Sequence, residues 1–222
     1  MCGRFTLTST KRDLTDNLGI ESLHFDFNWQ PNYNVAPTQE IPVLIYQNRR
    51  VIRGMFWGLI PYWSNNMKIG NRMINAREET LTEKPAYASL VRSQRCIVIA
   101  NGYYEWMQTR HGKKPYYIHD SKNDILLFAG LWDRWKNVKK QYRMTCTIIT
   151  TEASEQLKHI HSRMPLILEK ERINEWINCN NSENTILQLL QTNTVALNYH
   201  PISTFVNNSS NNSKKCIGNT TI

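Results

Sequence analysis

Ile125-Leu126-Leu127-Phe128-Ala129-Gly130-Leu131-Trp132 is an uncharged run of eight residues. It is too short for a buried helix with its own caps and is the length of a strand enclosed on both faces. Working outward, Arg143 to Thr150, Tyr116 to His119 and Cys96 to Ala100 are further apolar or alternating runs of strand length. Val43 to Tyr46 and Val51 to Trp57 flank Gln47-Asn48-Arg49-Arg50 as a hairpin. Helical patterns are fewer. Thr10-Lys11-Arg12-Asp13 reads as a capping box opening a short helix that ends near Gly19. Others cover Glu152 to His159, Glu169 to Ile177 and Asn184 to Gln191, with Pro165-Leu166-Ile167-Leu168 as a strand between the first two. The class is α+β, a mostly antiparallel β core, barrel-like or two packed sheets, with flanking short helices.

At 222 residues with 41% apolar and 10% aromatic content, the chain can bury a substantial core. One domain over residues 1–207 is expected, with 208–222, rich in Asn and Ser, as a disordered tail. Lys11, Arg12 and Asp13 precede any apolar run, and no stretch is long enough to cross a bilayer. A soluble intracellular protein with no membrane partner is therefore expected. The five cysteines are odd in number and form no C-x-x-C pair, against both a zinc site and a secreted disulfide framework. A net charge of +9 favours polyanionic partners, although Lys214 and Lys215 supply part of it from the tail.

The chain opens Met1-Cys2-Gly3-Arg4-Phe5. Removal of Met1 would give Cys2 a free α-amine beside its thiol, a 1,2-aminothiol able to capture an aldehyde and close on it as a thiazolidine. The α-amine, with a reference pKa of about 7.7 to 8.0, is far more nucleophilic at neutral pH than a lysine. A cation such as Arg4 is expected to lower the thiol. The plain alternative is that Cys2 is a small apolar residue tucked under the domain. Three polar segments interrupt the apolar pattern: Asn75-Ala76-Arg77-Glu78-Glu79-Thr80, Gly102-Tyr103-Tyr104-Glu105-Trp106, and His159-Ile160-His161-Ser162-Arg163-Met164-Pro165. Each alone has an ordinary structural explanation.

Together with Met1 to Phe5, Tyr33-Asn34-Val35-Ala36-Pro37, Trp57-Gly58-Leu59-Ile60-Pro61 and a late Val206-Asn207, these segments resemble, in order and spacing, the SRAP (SOS response-associated peptidase) family, over about residues 2–207. The resemblance implies an SRAP-type fold and a protein that shields abasic sites in single-stranded DNA by a covalent thiazolidine bond through Cys2. It implies that His161 assists sugar opening and imine protonation, Glu105 shuttles protons at the Cys2 amine, Asn75 orients that amine or the sugar, and Arg77 holds a flanking phosphate. Arg4 and Arg163 are candidates for the phosphate backbone or, equally, for surface ion pairs. Trp63, with Pro37, is a candidate base-stacking wedge, whereas Trp57, Trp106 and Trp132 are assigned to packing, with contact to the sugar left open for Trp106 beside Glu105. Asn101 departs from the Asp of many relatives and is expected to alter local hydrogen bonding only.

No cofactor or metal is implied, and the expected state is a monomer. The setting is cytoplasmic, with the nucleoid or a nucleus as the DNA-bearing location. Three alternatives stay open. A thiol autopeptidase would share Cys2, Asn75, Glu105 and His161, and an abasic-site lyase activity could accompany the trap. An N-terminal-nucleophile glutamine amidotransferase also begins Met-Cys-Gly, but there Arg4-Phe5 is out of place. A noncatalytic single-strand binder would give salt-sensitive binding with no covalent product.

Overall fold

Long apolar runs must pair their backbone groups away from water, and here they do so by closing on one another. The computed structural model describes residues 2–20, 30–122, 124–190 and 195–220. In chain order its elements are β1 (Phe5–Leu7), α1 (Lys11–Leu18), β2 (Asn32–Val35), β3 (Glu40–Tyr46), β4 (Arg50–Trp57), β5 (Asn75–Arg77), α2 (Leu90–Ser93), β6 (Arg95–Ala100), β7 (Gly102–Thr109), β8 (Gly112–Asp120), β9 (Leu126–Lys136), β10 (Tyr142–Glu152), β11 (Arg163–Pro165), β12 (Ile167–Leu168), α3 (Ile173–Ile177), α4 (Glu183–Leu190) and β13 (Leu197–Pro201), with short 3-10 turns between some of them.

Strands β4, β3, β6, β9 and β10 pair in that order. The ring closes through a parallel pairing of β10 with β4, Thr145 opposite Phe56 and Cys146 opposite Trp57. A closed barrel has no edge to protect. Beyond the end of β4, β5 takes over the same side of β10, with Asn75, Ala76 and Arg77 opposite Ile148, Ile149 and Thr150. Gly58 makes this handover possible. It sits at φ +138, and a Cβ there would meet the Gly70 carbonyl oxygen at 2.6 Å.

The second sheet is antiparallel, in the order β13-β8-β7-β1-β2. One residue, Asn101, links barrel strand β6 to β7 of this sheet. Its Oδ1 accepts from the N–H groups of Thr8 at 2.7 Å and Ser9 at 3.0 Å, while its Nδ2 donates to Ser9 Oγ at 2.7 Å. An Asp here would keep the first two bonds and lose the donor, so the departure is local, as expected. Phe5 seals the two sheets together, with its ring 5.0 Å from Trp57 and 6.2 Å from Phe128. The helix opened by Thr10 has the expected capping box and ends on Gly19 in the left-handed conformation.

Several expectations need correcting. Glu152 to His159 is not a helix: β10 runs on to Glu152, and turns follow, because the connection to β11 must return Arg163 opposite Glu152 within ten residues. Pro165 to Leu168 is not one strand. β11 pairs with β10 and β12 with β9, and Leu166 bridges them, donating to Ile149 O and accepting from Ala129 N. The pattern at Glu169 to Ile177 begins as a 3-10 turn over Lys170–Arg172 before α3. The last helix is α4, and Gln191 lies outside the described residues. The segment from 208, read as disordered, is structured through residue 220: Asn34 Nδ2 donates to the carbonyls of Val206, Asn208 and Asn211, Cys216 is buried, and Asn219 bridges to Ile202. Among the described residues, no helix is long and apolar enough to cross a membrane, and no group of three His, Cys, Asp or Glu could hold a metal ion.

Candidate functional site

Cys2 is fully buried, three residues before β1 enters the second sheet. Asn75, at the start of β5, donates its Nδ2 to the Cys2 carbonyl at 2.8 Å, and its Oδ1 is buried with no hydrogen-bond partner. Strand alternation puts Tyr103 and Glu105 of β7 on one face. Both are buried and electrostatically coupled to Cys2. Burial first, and then the Glu105 carboxylate, push the Cys2 thiol well above its ordinary value. Arg4 does lower this thiol, but through its backbone N–H and not through its cation, which is turned to Asn34 and Val206, and the effect is outweighed by burial and Glu105. The Tyr103 phenol is pushed up by burial and then by Cys2 and Glu105, and its hydroxyl has no hydrogen-bond partner. A buried polar atom left unpaired costs about 1–3 kcal/mol, and two such atoms, Asn75 Oδ1 and Tyr103 Oη, belong to residues that bond or couple to Cys2.

Glu105 and His161 face the same open pocket of about 510 Å³, with Trp106, Lys113 and Asn207. His161 follows the turns after β10, where the N–H of Arg163 donates to its Nδ1 at 3.0 Å. Nδ1 also lies 3.2 Å from the Arg163 carbonyl oxygen, so this nitrogen is engaged by its own backbone turn. The Trp106 indole donates to Asn207 Oδ1 at 2.8 Å, which fixes the pocket wall.

The remaining candidates occupy different surroundings. Arg4 donates through Nη1 to Asn34 Oδ1 at 2.7 Å and Val206 O at 3.0 Å, and lies 6.0 Å from the centre of the Trp106 ring. Arg163 is held by both Glu79 carboxylate oxygens and by Thr150 O. Arg77 is exposed, and its side chain makes no hydrogen bond or salt bridge among the described residues, although its charge acts on Glu79. Pro37 occupies a turn in which Thr38 has φ +73 and donates its N–H to Trp57 O at 2.9 Å. Trp63 is exposed in the turn closed by Ser64 N and Pro61 O. Neither Pro37 nor Trp63 has a hydrogen bond, ion pair or ring contact to the pocket residues among those described. Trp57 is fully buried, in line with its assignment to packing.

The structure thus sets Asn75 and Glu105 against the buried Cys2, and Glu105 and His161 on one opening, with Arg4 near the Trp106 ring that lines it. Sequence reasoning missed Tyr103, Lys113 and Asn207 as members of the group. The i, i+2 alternation from Glu105 was a sufficient signal for Tyr103. Lys113 had none, because it reaches the pocket only through the β7–β8 pairing that sets it opposite Gln108.

Comparison with known proteins supplies an independent view. The model of the SOS response-associated peptidase (SRAP) family matches residues 1–209. The chain is 41% identical over 221 residues to the abasic site processing protein YoaM of Bacillus subtilis, covering 98% of this chain and 97% of that one. It is 34% identical to the abasic site processing protein HMCES of Xenopus tropicalis, over 98% of this chain and 78% of that one. Among solved structures, a protein from Bacteroides thetaiotaomicron superposes with a TM-score of 0.89 at 26% identity, covering 99% of this chain and all of that one.

Proposed function

The chain belongs to the SOS response-associated peptidase family, and from that membership we propose that it is an abasic-site processing protein that bonds covalently to single-stranded DNA through Cys2. The relatives named for abasic site processing support the substrate. The observation that carries the chemistry is the buried Cys2, bonded by Asn75, coupled to Glu105 and set behind a pocket that His161 shares.

In the reaction, loss of Met1 frees the Cys2 amine, which adds to C1′ of the ring-opened abasic sugar. The carbinolamine takes a proton, loses water and becomes a Schiff base. The thiol then adds to C1′ while the imine nitrogen gains a proton, closing the thiazolidine. One water leaves and nothing is oxidised or reduced. His161 donates the proton that expels water, and Glu105 accepts from the amine and then from the thiol; such transfers are worth about 10² to 10⁴-fold. Asn75 fixes the backbone that carries the amine. Lys113, Arg77 and Arg4 supply positive charge to the strand, while Trp63 and Pro37 are assigned to base contacts.

The amine attacks first and the thiol second, because only the amine can form the Schiff base whose carbon the thiol then attacks. The protein is proposed to act as a monomer without a cofactor.

The test is a single-stranded oligonucleotide bearing one abasic site, incubated with protein whose mass establishes loss of Met1, and run on a denaturing gel. A band that survives denaturation and vanishes in Cys2→Ala is the expected result. Its absence from protein with a free Cys2 would end this reading.

A further inference from the structure

The hairpin between β9 and β10 reads Arg134-Trp135-Lys136-Asn137-Val138-Lys139-Lys140-Gln141-Tyr142-Arg143, five cations and no acid in ten residues. Between Asp124 and Glu152 the only acidic residue is Asp133, which is buried and accepts from the N–H groups of Tyr62 and Arg134 at 2.7 Å each. None of the five cations makes a salt bridge among the described residues. Instead, Arg134 lies 3.9 Å and Lys136 5.1 Å from the centre of the Tyr142 ring, which is 56% exposed.

The tip is rigid. Asn137 and Gln141 bond through backbone and side chains at 2.9 to 3.0 Å, and Lys140 is set at φ +61. Trp135 donates to Ser64 O at 2.7 Å, which fastens the hairpin to the turn that bears the exposed Tyr62 and Trp63.

We propose that this hairpin is a second contact surface for single-stranded DNA, with a base stacked on Tyr142 and phosphates on the surrounding Lys and Arg side chains. An exposed aromatic ring with two cations on it, in a hairpin whose cations have no carboxylate partner among the described residues, is the chemistry that holds single strands without regard to sequence. The inference rests on the DNA reading above and extends it to the flanking strand. Ile148, the partner of Asn75, is six residues along β10 from Tyr142, or about 20 Å. A strand rising at least 3.4 Å per nucleotide spans that in roughly six nucleotides or fewer.

The test uses Cys2→Ala protein, so that binding is reversible, with undamaged single strands of about 5 and about 20 nucleotides. Fluorescence anisotropy is followed against salt. Tyr142→Ala is expected to weaken the long strand by about fivefold or more and leave the short one unchanged. Lys139→Ala with Lys140→Ala is expected to lower the salt slope on the long strand by about 1.4, from about 0.7 per phosphate contact. Unchanged long-strand affinity and slope, or equal losses on both strands, would overturn the inference. The readout needs no crosslink: an active trap with indifferent hairpin variants defeats the hairpin alone. Hairpin-dependent binding without a crosslink defeats only the covalent reading.

Discussion

A buried hydroxyl with no partner is a standing cost, and the Tyr103 side chain carries it beside Cys2 and Glu105. Removing that hydroxyl should therefore leave the fold intact or slightly stronger while harming chemistry. Tyr103→Phe is expected to melt no lower than the parent and to crosslink at least about tenfold more slowly, about 1.4 kcal/mol of transition-state stabilisation. Equal rates would make Tyr103 a packing residue. Glu105 acts through charge. Its carboxylate is the second cause, after burial, of the raised Cys2 thiol, so Glu105→Gln should move the thiol's titration to lower pH. Alkylation rates of Cys2 against pH, on Met1-free protein, read this directly, and an unmoved midpoint would mean that the carboxylate does not face the sulfur.

At the scale of elements, β10 is the organiser. It closes the barrel with β9 and β4, then passes on to β5 and β11, so Asn75, Arg77 and Arg163 arrive on its two sides. Arg163 and Glu79 tie these two short strands across β10. The Arg163 hydrogen bond holds the Glu79 carboxyl below its ordinary 4.5. A depressed carboxyl stabilises the fold above the ordinary value, and that contribution is lost as pH falls through the folded value. Glu79→Gln should thus flatten the acid limb of melting temperature against pH. The effect should stay under about 1 kcal/mol, because Glu79 is 49% exposed.

The longer barrel strands were legible because continuous apolar runs mark burial on both faces. The strands β1, β5 and β11 were not: three residues contain no period to detect, and their strand character comes from neighbours. Glu152 to His159 has helix-forming residues, yet the ladder to Arg163 overrides local preference. The catalytic candidates were readable from motifs, and Asn207 stood in the Val206-Asn207 segment without a role, whereas Lys113 joins the pocket only by tertiary pairing.

Across the whole molecule, the two ends of the described chain meet at Asn34. Its Oδ1 holds Arg4, and its Nδ2 holds the carbonyls of 206, 208 and 211, so β2 fastens the closing segment beside the opening one. A tail read from its Asn and Ser content as solvent-loving is held by this buried amide together with the buried Cys216 and the bridge of Asn219 to Ile202. Asn34→Ala should cost about 2–4 kcal/mol in chemical denaturation and expose the chain after Val206 to limited proteolysis. Resistance equal to the parent would show that the segment is held elsewhere.

If a strand of DNA is attached at residue 2, as proposed, the place of β1 matters. Three residues later the chain becomes β1, flanked by β2 on one edge and β7 on the other, both antiparallel. A polymerase or unwinding motor that tugs on the joined DNA therefore loads β1 lengthwise. Hydrogen bonds along both edges must then fail in shear together, instead of parting one by one as in an unzipped hairpin. The covalent tether would thus be anchored in a mechanically resistant part of the molecule, and clearing it would call for pulling or digesting the protein from its opposite end.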